Sequence, residues 1–330
     1  MTLLPWQFDQ WQQLYEYKNQ NRIPQALLIS GANGLGKLNL AEKFAYSLLC
    51  LKPNDNGINC GNCAPCILIE AESHPDFIRI TTEEFGKAIG IGQIRNLLTQ
   101  LTLKRQFDTH RVVIIHPAEQ LNNSSANAFL KCLEEPSEKT SIILVSNNPS
   151  NIPATILSRC QRINIPQPDQ KKVIDWLIIQ NPKLSITEAE SLYHITQRSP
   201  FQALEFSNNE MLPLRNECFN AWLEIARLAQ HPIVIAGNWH KLQSSPIINW
   251  ITTWIADIIK CNYQTNSHTL HNPDLQKSLI YLATKTRLKD IFELYDLVLL
   301  SKQRADTQIN KQSILEEILI KWHSLNQHQN

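Results

Sequence analysis

The stretch Gly31-Ala32-Asn33-Gly34-Leu35-Gly36-Lys37-Leu38 narrows what this chain can fold into more than any other. It follows G-x-x-x-x-G-K-[ST] up to the last position. In that pattern the glycines let backbone N–H groups curl around phosphates, the lysine reaches the outer phosphates and the hydroxyl holds Mg²⁺. Here Leu38 stands in the hydroxyl's place. Ala26-Leu27-Leu28-Ile29 before the loop is an apolar run suited to a buried strand, and Leu40, Ala41, Phe44, Ala45 and Leu48 after it recur at helical spacing. Strand, glycine-rich turn and helix form the context the motif needs, so Gly31, Gly34, Gly36 and Lys37 are the candidate phosphate-binding residues of a P-loop-type α/β unit. A glycine-bearing strand-to-helix turn without a ligand is the plainer reading.

A chain of 330 residues with 43% hydrophobic content buries a sizeable core, and its length suggests about two or three domains. A formal net charge of +1 implies no broad cationic face, so nucleic acid would be met through shared or indirect contacts. The segment Met1-Thr2-Leu3-Leu4-Pro5-Trp6 has no charged region and soon meets Gln7, Asp9, Gln10 and Gln12, unlike a signal peptide. No apolar run approaches the length of a membrane-spanning helix. The expectation is a cytoplasmic protein whose eight cysteines are reduced thiols or metal ligands.

Four of those cysteines, Cys50, Cys60, Cys63 and Cys66, are spaced C-x9-C-x2-C-x2-C. C-x2-C lets two thiolates converge on one ion, and the Gly, Asn and Pro residues between 52 and 65 supply turns rather than core. Tetrahedral Zn²⁺ on four thiolates fits best; an iron–sulfur cluster and ordinary thiols are the alternatives, although the Cys-Pro ending of the ferredoxin run is missing. Cys132, Cys160, Cys218 and Cys261 are dispersed and read as buried apolar residues.

Residues 5–22 read as a helix with Trp6, Phe8, Trp11, Leu14 and Tyr15 available for packing. Further strands are predicted at 76–80, 111–115 and 141–145, and helices begin near Ile91 and Asn123, the latter stopped by Pro136. This alternation argues for a doubly wound α/β domain. The run Arg111-Val112-Val113-Ile114-Ile115 ends in His116-Pro117-Ala118-Glu119. In an ATP-hydrolysing P-loop protein that strand end supplies an Asp for Mg²⁺, often with a Glu beside it. A neutral imidazole is a poor ligand for a cation that prefers oxygen, Pro has no side-chain base, and Glu119 lies too far along to be assigned as one. From 208 onward the pattern is helical, with stripes such as Cys218, Trp222, Ile225 and Ala226; Ile248, Trp250, Ile251 and Trp254; Leu279, Leu282 and Ala283; Ile291, Leu294, Leu297 and Val298; and Ile314, Ile318 and Trp322. A polar tail occupies 326–330.

Taken in order, the P-loop, the four-cysteine module, the Val-Val-Ile-Ile strand, Ala126-Asn127-Ala128-Phe129-Leu130-Lys131-Cys132-Leu133-Glu134-Glu135-Pro136 and Ser158-Arg159-Cys160 closely resemble the delta-prime family of bacterial DNA polymerase III clamp-loader subunits. The resemblance continues through Arg198–Leu204 and Ile309–Leu319 and spans nearly the whole chain. It implies an AAA+ P-loop domain over 1–166 with a structural zinc module at 50–66, a small helical lid over 167–207 and an all-α collar over 208–330. It implies that Arg159 is an arginine finger reaching a neighbour's ATP, and that Phe201 stands where active relatives carry an ATP-sensing arginine. The partners implied are the motor subunits and the clamp-opening subunit of a hetero-pentameric ring, with the sliding clamp and primed DNA met through the complex and no membrane. Leu38, His116, Pro117 and Phe201 together favour a subunit of the DNA polymerase III holoenzyme that does not hydrolyse any nucleotide it holds. The alternatives are an active clamp-loader ATPase and a zinc-dependent DNA-binding protein, the latter opposed by the near-neutral charge.

Overall fold

The computed structural model describes residues 3–84, 87–135, 138–242, 244–263, 270–305 and 310–327. The chain divides into two compact units, Met1–Lys172 and Val173–Asn330.

The first unit runs α1 (Phe8–Asn19), β1 (Ala26–Ser30), α2 (Lys37–Leu49), α3 (Ala64–Glu70), β2 (Phe77–Ile80), α4 (Ile91–Thr102), β3 (Arg111–Ile115), α5 (Asn123–Glu134), β4 (Thr140–Ser146), α6 (Ala154–Leu157) and β5 (Gln161–Asn164). The strands form one parallel sheet in the order β2-β3-β4-β1-β5. The three inner strands are buried along their full length, as a parallel sheet covered on both faces requires. Successive side chains alternate between faces. Leu28, Val113, Ile115, Ile142 and Leu144 join a core with Ile94 and Leu97 of α4 and Phe129 of α5. Their neighbours Leu27, Ile29, Val112, Ile114, Ile143 and Val145 are equally buried, and α2 packs on β1, β3 and β4. The register Leu28↔Leu144 and Val113↔Ile142 keeps these faces aligned across the sheet.

Several expectations are corrected. Helix α1 is shorter than residues 5–22, and Phe8 is 64% exposed rather than packed because it opens the helix on its outer side. Strand β5 is an addition to the predicted strands: Gln161-Arg162-Ile163-Asn164 buries only Ile163, and at the sheet edge it pairs, among the described residues, with β1 alone. Pro136 and Ile309 lie outside the described residues.

The second unit is helical: α7 (Gln170–Gln180), which starts just ahead of the division, α8 (Ile186–Ile195), α9 (Pro200–Asn208), α10 (Met211–Ala226), α11 (Pro232–His240), α12 (Ser244–Asn262), α13 (Gln276–Lys285), α14 (Leu288–Ala305) and α15 (Lys311–Gln327). The tryptophan stripes converge, as the helical spacing predicts. Trp222 stacks on Trp322 with centroids 4.4 Å apart and planes at 7°, and the Trp322 indole N–H donates to the Trp222 carbonyl at 3.0 Å. Trp250 and Trp254 share this core with Leu279, Leu282, Ile291, Leu294, Val298, Ile314 and Ile318. Ala226, Leu297 and Cys261 are only partly buried. The expected polar tail starts later: Asn326 is buried in α15, its amide donating to Trp322 O at 2.7 Å, and residues 328–330 lie outside the described residues.

Candidate functional site

The loop after β1 is fixed on both sides. A Cβ at Gly31 (φ +151°) would stand 2.6 Å from the Ile165 carbonyl, so only glycine permits this approach to the end of β5. Gly36 (φ 74°) is the left-handed N-cap of α2, and Gly34 turns at φ 71°. Opposite, the Trp6 indole donates to Leu35 O at 3.0 Å, while the Gln7 amide donates to Leu35 O at 2.9 Å and Gly36 O at 2.8 Å. Both side chains are buried; the sequence offered no pattern from which these two supports could be read. The first turn of α2 thus faces the loop with N–H groups that have no intrahelical acceptor, as a phosphate-binding helix start does.

Lys37 is buried and turns its ammonium back onto the Ala32 carbonyl. Burial lowers its pKa to about 8, against an opposing pull from the Glu119 charge. Leu38, next to it, is half-buried and brings no oxygen to the site. At the end of β3, burial holds the His116 imidazole below its ordinary pKa, with its Nδ1 buried and unpartnered among the described residues. Glu119, set aside in the sequence because of its displacement, comes back toward the loop: its Oε1 accepts from the Asn147 N–H at 3.0 Å, and its charge acts on both Lys37 and His116. The site therefore has one ammonium, one carboxylate held by a backbone amide, and an imidazole and a proline where Mg²⁺ chemistry places carboxylates.

The four cysteines of the module converge. Cys50 caps the C-terminus of α2 and Cys63 the N-terminus of α3, and the intervening chain folds back between those helix ends. All four sulfurs lie within 4.8 Å of one another, with Cys50 to Cys63 at 3.8 Å and Cys60 to Cys66 at 4.0 Å. A tetrahedral ion with bonds of ~2.3 Å sets its sulfurs about 3.8 Å apart, so the arrangement fits one metal ion. The Cys60 N–H donates to Cys50 Sγ at 3.3 Å, and backbone N–H groups of Asn62 and Cys63 hold the Cys60 thiol at a pKa of about 6. Helix α1 supports the loop: Tyr15 Oη donates to Asp55 O at 2.6 Å and the Trp11 indole to Asn56 O at 3.2 Å. Cys132, Cys160 and Cys218 are buried, as expected of apolar residues.

Arg159 follows α6 on the surface. Its Nη1 donates to Thr155 O at 2.9 Å and its Nη2 to Glu134 Oε1 at 3.0 Å. Arg159 and Cys160 part company here: the arginine side chain is 39% exposed while the cysteine turns into the core against α5.

Residues 6–169 match the family model described as DNA polymerase III, delta subunit, and residues 191–324 match its C-terminal counterpart. The DNA polymerase III subunit delta' of Pseudomonas aeruginosa is 30% identical over 325 residues, covering 98% of both chains. The chain belongs to the delta-prime family of DNA polymerase III subunits. The Haemophilus influenzae delta' subunit is 28% identical over 270 residues, covering 81% of this chain and 80% of that one. Among solved structures, a DNA polymerase III gamma-subunit-related protein from Thermotoga maritima has the same fold, with a TM-score of 0.51 at 18% identity over 95% of this chain and 99% of its own. The family's two model segments fall on the α/β unit and on the helical unit respectively. In the latter, Phe201 opens α9 and lies with its ring 5.5 Å from that of Trp176, an apolar contact in which it brings no charge. No helix among the described residues is long and apolar enough to cross a membrane.

Proposed function

We propose that this chain is a non-hydrolysing subunit of the replicative clamp loader, which completes a ring with the motor and clamp-opening subunits in the cytoplasm and donates Arg159 to the ATP site of a neighbouring motor. The observation that carries the reading is the combination at one site of Leu38 with His116 and Pro117. Mg²⁺ placement and charge neutralisation are the main protein contributions to phosphoryl transfer, and neither oxygen ligand for the cation is supplied here. Gly31, Gly34, Gly36 and Lys37 keep the outline of a phosphate cradle, in which any nucleotide bound is not turned over. Arg159 has the chemistry the missing groups lack. Its guanidinium is permanently charged and planar, it is exposed, and it can stabilise charge developing on a phosphate carried by another chain. Phe201 supports the same reading, because an apolar ring packed near Trp176 stands at the position where the resemblance places an ATP-sensing arginine.

In this reading the division is an AAA+ domain over 1–166, a lid over 167–207 and a collar over 208–330, with the sliding clamp and primed DNA engaged through the assembled complex. Cys50, Cys60, Cys63 and Cys66 hold Zn²⁺. An iron–sulfur cluster spreads its four thiolates over two or four irons, whereas sulfurs this close suit a single ion. A closed four-thiolate zinc has no open position for chemistry, so its part is to tie α2 to α3.

Two measurements test the proposal. The purified chain turns over no ATP beyond a Lys37→Ala control; turnover above that control would overturn the non-hydrolysing role. In the reconstituted complex, Arg159→Ala assembles normally but lowers hydrolysis at the single site it serves by roughly a thousandfold or more, and with it DNA-stimulated ATPase and clamp loading. Normal activity would remove Arg159 from the mechanism.

A further inference from the structure

We propose that Glu134 is the positioning residue for Arg159: a carboxylate at the end of α5 that, with the Thr155 carbonyl, sets the plane in which the guanidinium is presented to a phosphate on another chain. The inference rests on the trans-acting role of Arg159 argued above. The two acceptors differ in kind. Thr155 is four residues away on α6, whereas Glu134 belongs to another helix, 25 residues back in sequence. Helices α5 and α6 pack against each other, so both acceptors stand on fixed ground. A guanidinium is planar, so acceptors on two of its nitrogens fix that plane, while one carbonyl leaves it free to rotate. Among the described residues two of its five N–H donors are used in this way and three remain for an anion.

The tether is weak enough to serve presentation rather than to lock the arginine away. The Arg159 and Glu134 side chains are 39% and 53% exposed, and an exposed pair of this kind shifts populations by about fivefold at most. Arg159 is also the sole hydrogen-bonding or ionic partner of the Glu134 carboxylate among the described residues. Among the described residues its carboxylate therefore has no second contact to confuse with this one. Two of the sequence motifs that carry the family resemblance, the helix ending in Glu134-Glu135 and the Ser158-Arg159-Cys160 loop, meet through this contact.

The test uses the complete reconstituted complex on primed DNA, with assembly, ATPase kcat and KM for ATP read in the same preparations. Glu134→Ala lowers kcat roughly three- to fivefold with assembly and KM unchanged, because positioning is lost and ground-state binding is not. Glu134→Gln, whose amide oxygen still accepts from Nη2, stays within about twofold of wild type. Glu134→Asp, one methylene short, falls with the alanine variant and reads the same tether should that variant assemble poorly. In an Arg159→Ala background, Glu134→Ala has no further effect. A Glu134→Ala kcat within about twofold of wild type, an equal loss in the Arg159→Ala background, or a Gln variant as impaired as Ala would each overturn the role of Glu134. Arg159→Ala, read alongside, separates the two claims. Normal activity there removes the trans role and this inference with it, whereas a loss there beside an unaffected Glu134→Ala removes only the role of Glu134.

Discussion

Lys37 carries its ammonium where water is scarce, and burial lowers its pKa to about 8. The folded protein holds this proton less tightly than the unfolded chain does, so the unfolded chain carries more protons between pH 8 and the ordinary lysine value near ~10.4. Stability contributed by this residue therefore rises with pH through that window. Lys37→Met abolishes the titration. From about pH 7 to about pH 10.5, urea unfolding should show wild type gaining up to about 3 kcal/mol relative to the methionine variant. Parallel pH profiles for the two proteins would show that the ammonium is not desolvated. The loop glycines and Lys37 were legible in the sequence because backbone conformation and charge are encoded locally. Glu119 was not, because its approach to Lys37 depends on the path of the chain after β3, which spacing alone does not reveal.

At the scale of elements, the cysteine module joins the last residue of one helix to the first turn of another. Cys50 follows Leu49 at the end of α2, and Cys63 and Cys66 flank the start of α3. Spacing alone picked out the four cysteines whose sulfurs converge, since C-x2-C lets two thiolates approach one point whatever surrounds them. What spacing left out is the support from α1, whose Tyr15 and Trp11 hold the loop carbonyls of Asp55 and Asn56. Elemental analysis should return roughly one zinc per chain, and Cys63→Ser should lose it and open residues 51–63 to limited proteolysis. Iron in the preparation, or a loop in the serine variant as resistant as wild type, would contradict this account. Strand β5 illustrates the opposite case. One buried residue in four gives no periodic signal, and only pairing with β1 makes a strand of it.

At the scale of the whole molecule, the two units each have their own apolar core. That of the helical unit centres on Trp222, Trp254 and Trp322, all fully buried. Trp322→Ala removes both the stack on Trp222 and a bond to its carbonyl, and should cost about 3–5 kcal/mol. Denaturant unfolding followed by helix content should show an early transition, while the zinc proposed for the first unit is retained until a later one. Loss of zinc in the same early transition would mean that the two cores unfold together.

The sequence by itself determined the P-loop outline, the cysteine quartet, the buried strands and the tryptophan stripes, because each is written in residues close together along the chain. It determined too that Leu38, His116 and Pro117 cannot supply the oxygens Mg²⁺ prefers, a matter of side-chain chemistry alone. Only the tertiary structure decided which distant groups meet: Trp6 and Gln7 on the loop carbonyls, Glu119 near Lys37, and Glu134 on Arg159. Those contacts join residues 25 to more than 80 positions apart, and it is the sheet order and helix packing, not local pattern, that bring them within reach.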